Sequence, residues 1–201
     1  MRTAGMLFGM AGLFFSSTVC ASTEVGLSGM FGFGGEAKLR FEGGTSLLSD
    51  FEPTLGFGIW SDTDMNRYVR IGGEARLLWW QSEGMNQTNI DRSLTMHFGP
   101  TLRLVFPLTR ALELFGRVAP GFSVAVPSDD FDSSLYKIGV AFGFNIAGFG
   151  GLAFRLTEDV GLLVEAGFLY HKVYGEMDSQ LGKADYNLSG TQFMLDAGLF
   201  F

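Results

Sequence analysis

The sequence predicts an all-β protein: an eight-stranded antiparallel up-and-down transmembrane β-barrel. Three observations carry that expectation. Apolar and polar residues alternate with a period of two in eight separate stretches; the connections between the stretches alternate between short and long; and the ionisable side chains keep to one phase of the alternation. The composition agrees. The 201 residues include 29 glycines and 21 phenylalanines but only 5 prolines, and 47% are hydrophobic, a β-rich profile for one domain rather than a disordered chain. No apolar run reaches the roughly 18 residues of a spanning helix, so a membrane reading has to rest on strands.

Residues 1–21 read as a signal peptide, with Arg2 at a basic start, an apolar stretch from Met6 to Phe15, and small residues around Val19-Cys20-Ala21 for cleavage. Lipidation of Cys20 is the alternative, and Val19 with Ser17 two residues earlier fits it poorly. The barrel is then expected over 22–201. Cleavage removes the only cysteine, which suits an oxidising periplasm and excludes thiolate metal sites. It also removes Arg2, leaving 13 basic against 21 acidic residues, a net charge of −8 that disfavours nucleic acid as a partner.

Strand one is read as continuous from 24 to 42, with Val25, Leu27, Phe31, Phe33, Leu39 and Phe41 in one phase and Glu36, Lys38 and Arg40 in the other. Strand two sets Leu55, Phe57 and Ile59 against Thr54, Gly56 and Gly58. Strand three alternates Ile71, Ala75, Leu77 and Trp79 with Arg70, Glu74 and Arg76, and strand four alternates Leu94, Met96, Phe98, Leu102, Leu104 and Phe106 with His97, Thr101 and Arg103. Strand five places Leu112, Leu114, Val118 and Phe122 opposite Glu113 and Arg117. Strand six, 136–156, has Phe142, Phe144, Ile146 and Phe154 against Lys137, Asn145 and Arg155. Strand seven pairs an apolar phase from Val160 to Tyr170 with Glu165 and His171, and strand eight runs from Phe193 to Phe201 with Asp196 between.

The connections 61–66, 107–110 and 157–159 are short, whereas 43–51, 81–92, 127–135 and 175–189 are longer and rich in Gly, Ser, Asn and Asp. Outer-membrane barrels have this asymmetry, with the short turns in the periplasm. A soluble lipocalin-like barrel would alternate equally well with its apolar face inward. Three features place lipid outside instead. Of the strand charges only Lys172 leaves the polar phase, near a loop end where it can snorkel. Small residues such as Gly139, Ala141, Gly143, Ala147, Gly151 and Ala153 crowd the polar phase of strand six, as a narrow lumen requires. Aromatics near strand ends (Trp79, Phe106, Tyr136, Tyr170, Phe201) suit interfacial girdles.

Strands 24–42 and 136–156 exceed the roughly 9–11 residues of a spanning strand, which predicts a rim above the outer surface. Pro100 and Pro120 lie inside strands four and five, where each removes a ladder donor, and bulges are expected there.

With these residues in view, the chain resembles the small outer-membrane barrels of the OmpA-like and opacity-protein-like kind over essentially all of 22–201. The terminal strand and the segment from Leu152 to Tyr170, which is similar to that family's third periplasmic hairpin, carry the resemblance. It implies an assembly signal at Phe193, Leu195, Ala197, Leu199 and Phe201, read by the barrel-assembly machinery, a location in the outer membrane of a bacterium with two membranes, and no peptidoglycan-binding domain after the barrel.

A lumen charge network is expected from Glu36, Arg70, Glu74, Arg76, Arg103, Glu113, Arg117, Arg155, Glu165 and Asp196, acting as a salt-bridged plug. Arg103 and Glu113 are expected to face each other across the turn at 107–110, and Arg155, Glu165 and Asp196 to form a second cluster. His97 and His171 read as polar lining, with no partner at metal-ligand spacing. Strand eight lacks a histidine and has only Ser189 at its loop end, which argues against the lipid-A-editing enzymes of this size class; no catalytic residue, metal or cofactor is expected. The expected role is structural or surface-interacting, with membrane lipid and lipopolysaccharide as partners and a monomeric state. The acids Asp129, Asp130, Asp132, Glu176 and Asp178 lie in loops that would meet such partners. A narrow small-solute channel is the alternative, opposed by Trp80, Phe115, Phe149 and Phe200, which share the inward phase and fill an eight-stranded interior.

Overall fold

The computed structural model describes residues 22–41, 46–83, 90–126, 136–179 and 182–201. The expected signal peptide and the acids Asp129, Asp130 and Asp132 lie outside them, and the side chain of Tyr136 is likewise not described. Among the described residues there are eleven strands: β1 (Thr23–Phe33), β2 (Glu36–Phe41), β3 (Ser46–Phe51), β4 (Thr54–Asn66), β5 (Val69–Glu83), β6 (Ile90–Pro107), β7 (Leu112–Val126), β8 (Tyr136–Ile138), β9 (Ala141–Arg155), β10 (Gly161–Ser179) and β11 (Gly182–Phe200). Because β1 with β2, β3 with β4 and β8 with β9 are broken halves of single staves, the wall has eight staves. Every neighbouring pair is antiparallel, and β1 pairs β11 from Gly26↔Phe200 to Phe33↔Phe193, which closes the ring. Closure satisfies the row of backbone groups that an open edge would leave unpaired.

The pleat sorts the side chains. On β4, Leu55, Phe57 and Ile59 are half exposed on the outside while Thr54, Gly58 and Trp60 are buried inside. The same split runs round the wall, so the large exposed hydrophobics form an outer belt and the charges line the interior. Inside, three apolar clusters fill the cross-section at successive levels: Trp60, Val105, Phe115, Ala153, Leu163 and Phe200 nearest the short turns; Met30, Leu78, Ala119, Ala147, Phe149, Leu169 and Met194 at mid-height; Ala37, Trp80, Ala125, Ala141, Val173, Tyr186 and Leu188 towards the rim. Inward glycines make room for these rings, as Gly26 does for Trp60 and Gly161 for Phe200.

Strand one is not continuous. Gly34 and Gly35 adopt φ values of 61° and 99°, a left-handed backbone open to glycine, and a Cβ on Gly35 would collide with the Thr191 carbonyl. Two residues spent in that kink reverse the phase of the pleat. In β2 it is Ala37 and Leu39 that turn to the interior, whereas Glu36, Lys38 and Arg40 are exposed on the outside. Glu36 therefore does not belong to the lumen network expected of it.

The rim is present, built differently from the expectation. Residues 175–179 and 182–189 are strand: β10 and β11 stay paired to Ser179↔Gly182, with β2 and β8 alongside and β3 against β2. Their polar composition hides a strand pattern, in which Tyr186 and Leu188 point inward to apolar neighbours. Residues 61–66 also continue β4, and only Arg67 and Tyr68 make the turn.

The prolines produce no bulge. The β6–β7 pairing keeps one register on both sides, Phe98↔Phe122 and Leu102↔Val118, so Pro100 and Pro120 stand opposite each other in a single gap in the ladder. Each removes the donor that the other's carbonyl would have accepted. Register shifts fall elsewhere, at Asp64/Asn66 and Trp80/Ser82.

Candidate functional site

Among the described residues, the interior guanidiniums and carboxylates fall into two clusters, with aromatic rings against them. Nearest the short turns, Arg70 from β5 donates from Nε to Asp64 at 2.7 Å, from Nη1 to Glu24 at 3.1 Å, and from both Nη atoms to Glu113 at 3.0 and 3.2 Å. Arg103 from β6 meets Asp62 at 3.0 Å, and Thr101 donates to the other Asp62 oxygen at 2.7 Å. The Arg103 guanidinium also lies 4.3 Å from the Trp60 ring and 4.8 Å from Phe115, so rings shield its faces. Arg155 from β9 bonds Glu24 and lies 3.8 Å from Glu113.

One level higher, Arg76 donates to Glu74 at 2.9 Å, and Arg117 from β7 reaches the other Glu74 oxygen at 2.6 Å. Arg117 also bonds Glu165, while Asp196 lies 4.0 Å from Arg76 and 3.9 Å from Arg117. Glu165 and Asp196 are direct cross-strand neighbours of β10 and β11. The Phe149 ring lies 4.2 Å from Arg76 and 5.1 Å from Arg117. Two guanidiniums thus bond Glu74 and Glu165 and stand at the outer limit of ion-pair distance from Asp196, all five side chains being buried. Buried charges survive folding when they are paired in this way and are costly once a partner is lost.

Above the charges the lining is polar but neutral in type. Trp80 donates to Thr95 at 2.6 Å, His97 Nδ1 and the Ser123 hydroxyl are 2.8 Å apart, Asn145 donates to Ser123 and to the Phe122 carbonyl, and Gln192 donates to Thr54. His97 and His171 lie ring to ring at 5.7 Å. Among the described residues no group of three or more His, Cys, Asp and Glu is placed to hold a metal.

Nine of the ten charges expected in the lumen face it, and their partners differ from those the sequence suggested. Arg103 and Glu113 are not opposite each other. The tight turn at 108–111 sets Pro107 against Glu113 and leaves Arg103 opposite Arg117, so Arg103 turns to Asp62 on β4 and Glu113 to Arg70 on β5. Arg155 does not join Glu165 and Asp196 either. It lies beside Gly161 near the short turns, with Glu24, while Glu165 and Asp196 sit a level higher with Arg76 and Arg117. The sequence reading missed Glu24, Asp62 and Asp64. All three share the even, inward phase of their strands: Glu24 opens the strand read from residue 24, in its polar phase, and extending strand two to the short-turn end would have found Asp62 and Asp64.

On the terminal strand, Leu195, Ala197, Leu199 and Phe201 are exposed on the outer wall, and Phe193 packs between Phe33 and Phe168 at 4.8 and 5.3 Å.

No protein-family model matches the chain, and no curated protein sequence matches it. Among solved structures it is similar to the outer membrane protein OprG from Pseudomonas aeruginosa, at 10% identity and a TM-score of 0.64, over 90% of this chain and 97% of that one. Neisserial surface protein A (15% identity, TM-score 0.47, 90% and 97% covered) and Ail of Yersinia pestis (18%, 0.43, 90% and 99%) are further structures it resembles. At 10% identity the likeness to OprG is one of fold, and with the closed ring of eight staves it is that of a small outer-membrane β-barrel.

Proposed function

We propose that this chain is an integral outer-membrane barrel that acts through its outer wall and exposed rim, with its lumen closed by salt-bridged plugs. The observation that carries the reading is the inversion of inside and outside. Phe57, Phe122, Phe142, Phe168 and Leu195, on five different staves, present large apolar side chains to the surroundings, while Arg103, Glu165 and Asp196 are buried at 1–2% exposure. Water would penalise that outer belt, and acyl chains match it. Export through a cleaved leader at 1–21, recognition of Phe193, Leu195, Ala197, Leu199 and Phe201 by the assembly machinery, a monomeric state, and contact with lipopolysaccharide belong to the same reading.

The filled interior supports a structural or surface-interacting role over solute passage. The charges meet partners from several staves, and Trp60, Phe115 and Phe149 lie over the guanidiniums, as expected of an eight-stranded interior filled by side chains. Planar-bilayer recording of the refolded protein tests it, with silence expected from the native chain. Steady single-channel steps altered by Arg103→Met would replace the plug with a channel. Migration that shifts on boiling is expected of the detergent-extracted protein, and a chain freely soluble without detergent would overturn the membrane reading itself.

A further inference from the structure

The kink at Gly34 and Gly35 has a chemical result on the outside of the barrel. Lys38 on β2 and Lys172 on β10 stand on either side of Ser189 of β11 in one cross-strand row, and all three side chains face outward. In the next row towards the rim, Arg40 stands opposite Asn187, which has Tyr174 on its other side. With strands ~4.8 Å apart, the two lysine backbones are separated by about 10 Å, a gap their long side chains close easily. Lys172 is steadied by the Tyr174 ring, 5.2 Å from its ammonium. None of the three cations makes an ion pair with another described residue, in contrast to Lys183 at the hairpin tip, which lies 3.6 Å from both Glu176 and Asp178.

The patch sits at a particular height. Along β10 the outward residues Leu162, Val164, Ala166, Phe168 and Tyr170 are apolar, and Lys172 is the next outward position. That stretch of strand spans ~26 Å, which a usual tilt reduces to about 20 Å of vertical height, close to the apolar band of such barrels. Two outward positions below the cations on the same staves, past a row that holds Glu36, Thr191 and Tyr170, Phe33, Phe193 and Phe168 form a continuous aromatic surface. Cations and hydrogen-bond donors thus stand where headgroups begin, over rings that suit acyl chains. Glu36 and Asp50 face each other one outward position below Lys38, and they are the carboxylates nearest to it along the β2–β3 ladder.

We propose that Lys38, Arg40 and Lys172, with Ser189 and Asn187, form a binding site for the phosphate groups of a phosphorylated outer-leaflet glycolipid. The site rests on the membrane-barrel reading above and adds a specific partner to it. The lipid is the favoured source of phosphate because on β10 the apolar run reaches Tyr170, one outward position below Lys172, and the aromatic cluster lies in the row beneath.

The test uses the full refolded chain in detergent, with purified bisphosphorylated lipid A as probe and retained lipid measured per barrel after size exclusion. The variant carrying Lys38→Gln, Arg40→Gln and Lys172→Gln is expected to retain lipid A at least about tenfold more weakly, three cations near a membrane surface each contributing to the attraction. The native chain should lose affinity to a similar degree for enzymatically dephosphorylated lipid A. Glu36→Gln should tighten retention, and Arg110→Gln at the short-turn end should leave it unchanged. Equal retention by the triple variant, or indifference to dephosphorylation, overturns the site. Displacement of lipid A by millimolar inorganic phosphate alone overturns its assignment to a lipid. Heat-modifiable migration is recorded on every sample. Its absence from the native chain means the barrel reading has failed, whereas folded samples with unchanged lipid binding mean that only the site has.

Discussion

Arg117→Met probes the closed lumen most sharply. Arg117 donates to Glu74 at 2.6 Å, bonds Glu165 and lies 3.9 Å from Asp196, so its guanidinium touches or neighbours every carboxylate of the central cluster. Removing it leaves three buried carboxylates to Arg76 alone, whose nearest oxygen is that of Glu74 at 2.9 Å. Methionine fills most of the volume without a charge, which isolates the electrostatic part of the loss. Deleting one partner of a buried ionic group costs roughly 3–5 kcal/mol because the remaining charges have no water to return to. Urea unfolding in phospholipid vesicles, followed by tryptophan fluorescence, should therefore show a loss of that order. Adding Glu165→Gln removes one of the stranded charges, so the double variant should lose less than the two single losses combined, with a coupling of about 1–3 kcal/mol. An Arg117→Met protein within about 1 kcal/mol of the native chain would mean that the cluster is hydrated or differently paired, and the plug would go with it.

Three further outcomes follow from the wall. Leu195 lies in the row of Phe31 and Ala166 near the middle of the apolar belt, so Leu195→Arg should cost about 2–4 kcal/mol in vesicles. Tyr170→Arg, at the belt's edge, should cost no more than about 1 kcal/mol, and equal costs at both positions would place the bilayer elsewhere. Replacing Pro100 and Pro120 together by valine restores two facing donors in the β6–β7 gap, for a gain of about 1–3 kcal/mol and newly protected amides at both positions in hydrogen exchange; unchanged exchange at the flanking residues would show the gap to have another cause. Gly35→Ala meets both a left-handed φ of 99° and the Thr191 carbonyl, and should cost about 1–3 kcal/mol, read by the same urea titration.

The barrel was legible in the sequence because lipid and lumen impose a period-two code that survives at every stave, from Leu55-Phe57-Ile59 to Leu195-Ala197-Leu199. What failed to show were the places where the period continues while its meaning reverses. Glycine fits either face, so Gly34-Gly35 passes unnoticed inside an apparently unbroken alternation, and Glu36, Lys38 and Arg40 were assigned to the wrong side. The charged residues of the lumen could be named from their phase, but not paired. Pairing depends on register, which the turn at 108–111 sets, and on contacts across the lumen between staves distant in sequence, such as Arg155 with Glu24. Asp62 and Asp64 looked like turn residues by composition, and only the continued pairing of β4 with β5 shows them as strand.

The direction of the two faces is tested most directly by single cysteines placed after Cys20 has been replaced by serine. Leu195→Cys and Phe142→Cys lie on the outer wall, and Met194→Cys lies inside at 0% exposure. In reconstituted vesicles, a fluorophore at Leu195→Cys or Phe142→Cys should be quenched by lipids carrying a quencher on the acyl chain and be inaccessible to aqueous maleimide before folding is reversed. Rapid aqueous labelling at those two positions, with lipid quenching at Met194→Cys instead, would contradict the account.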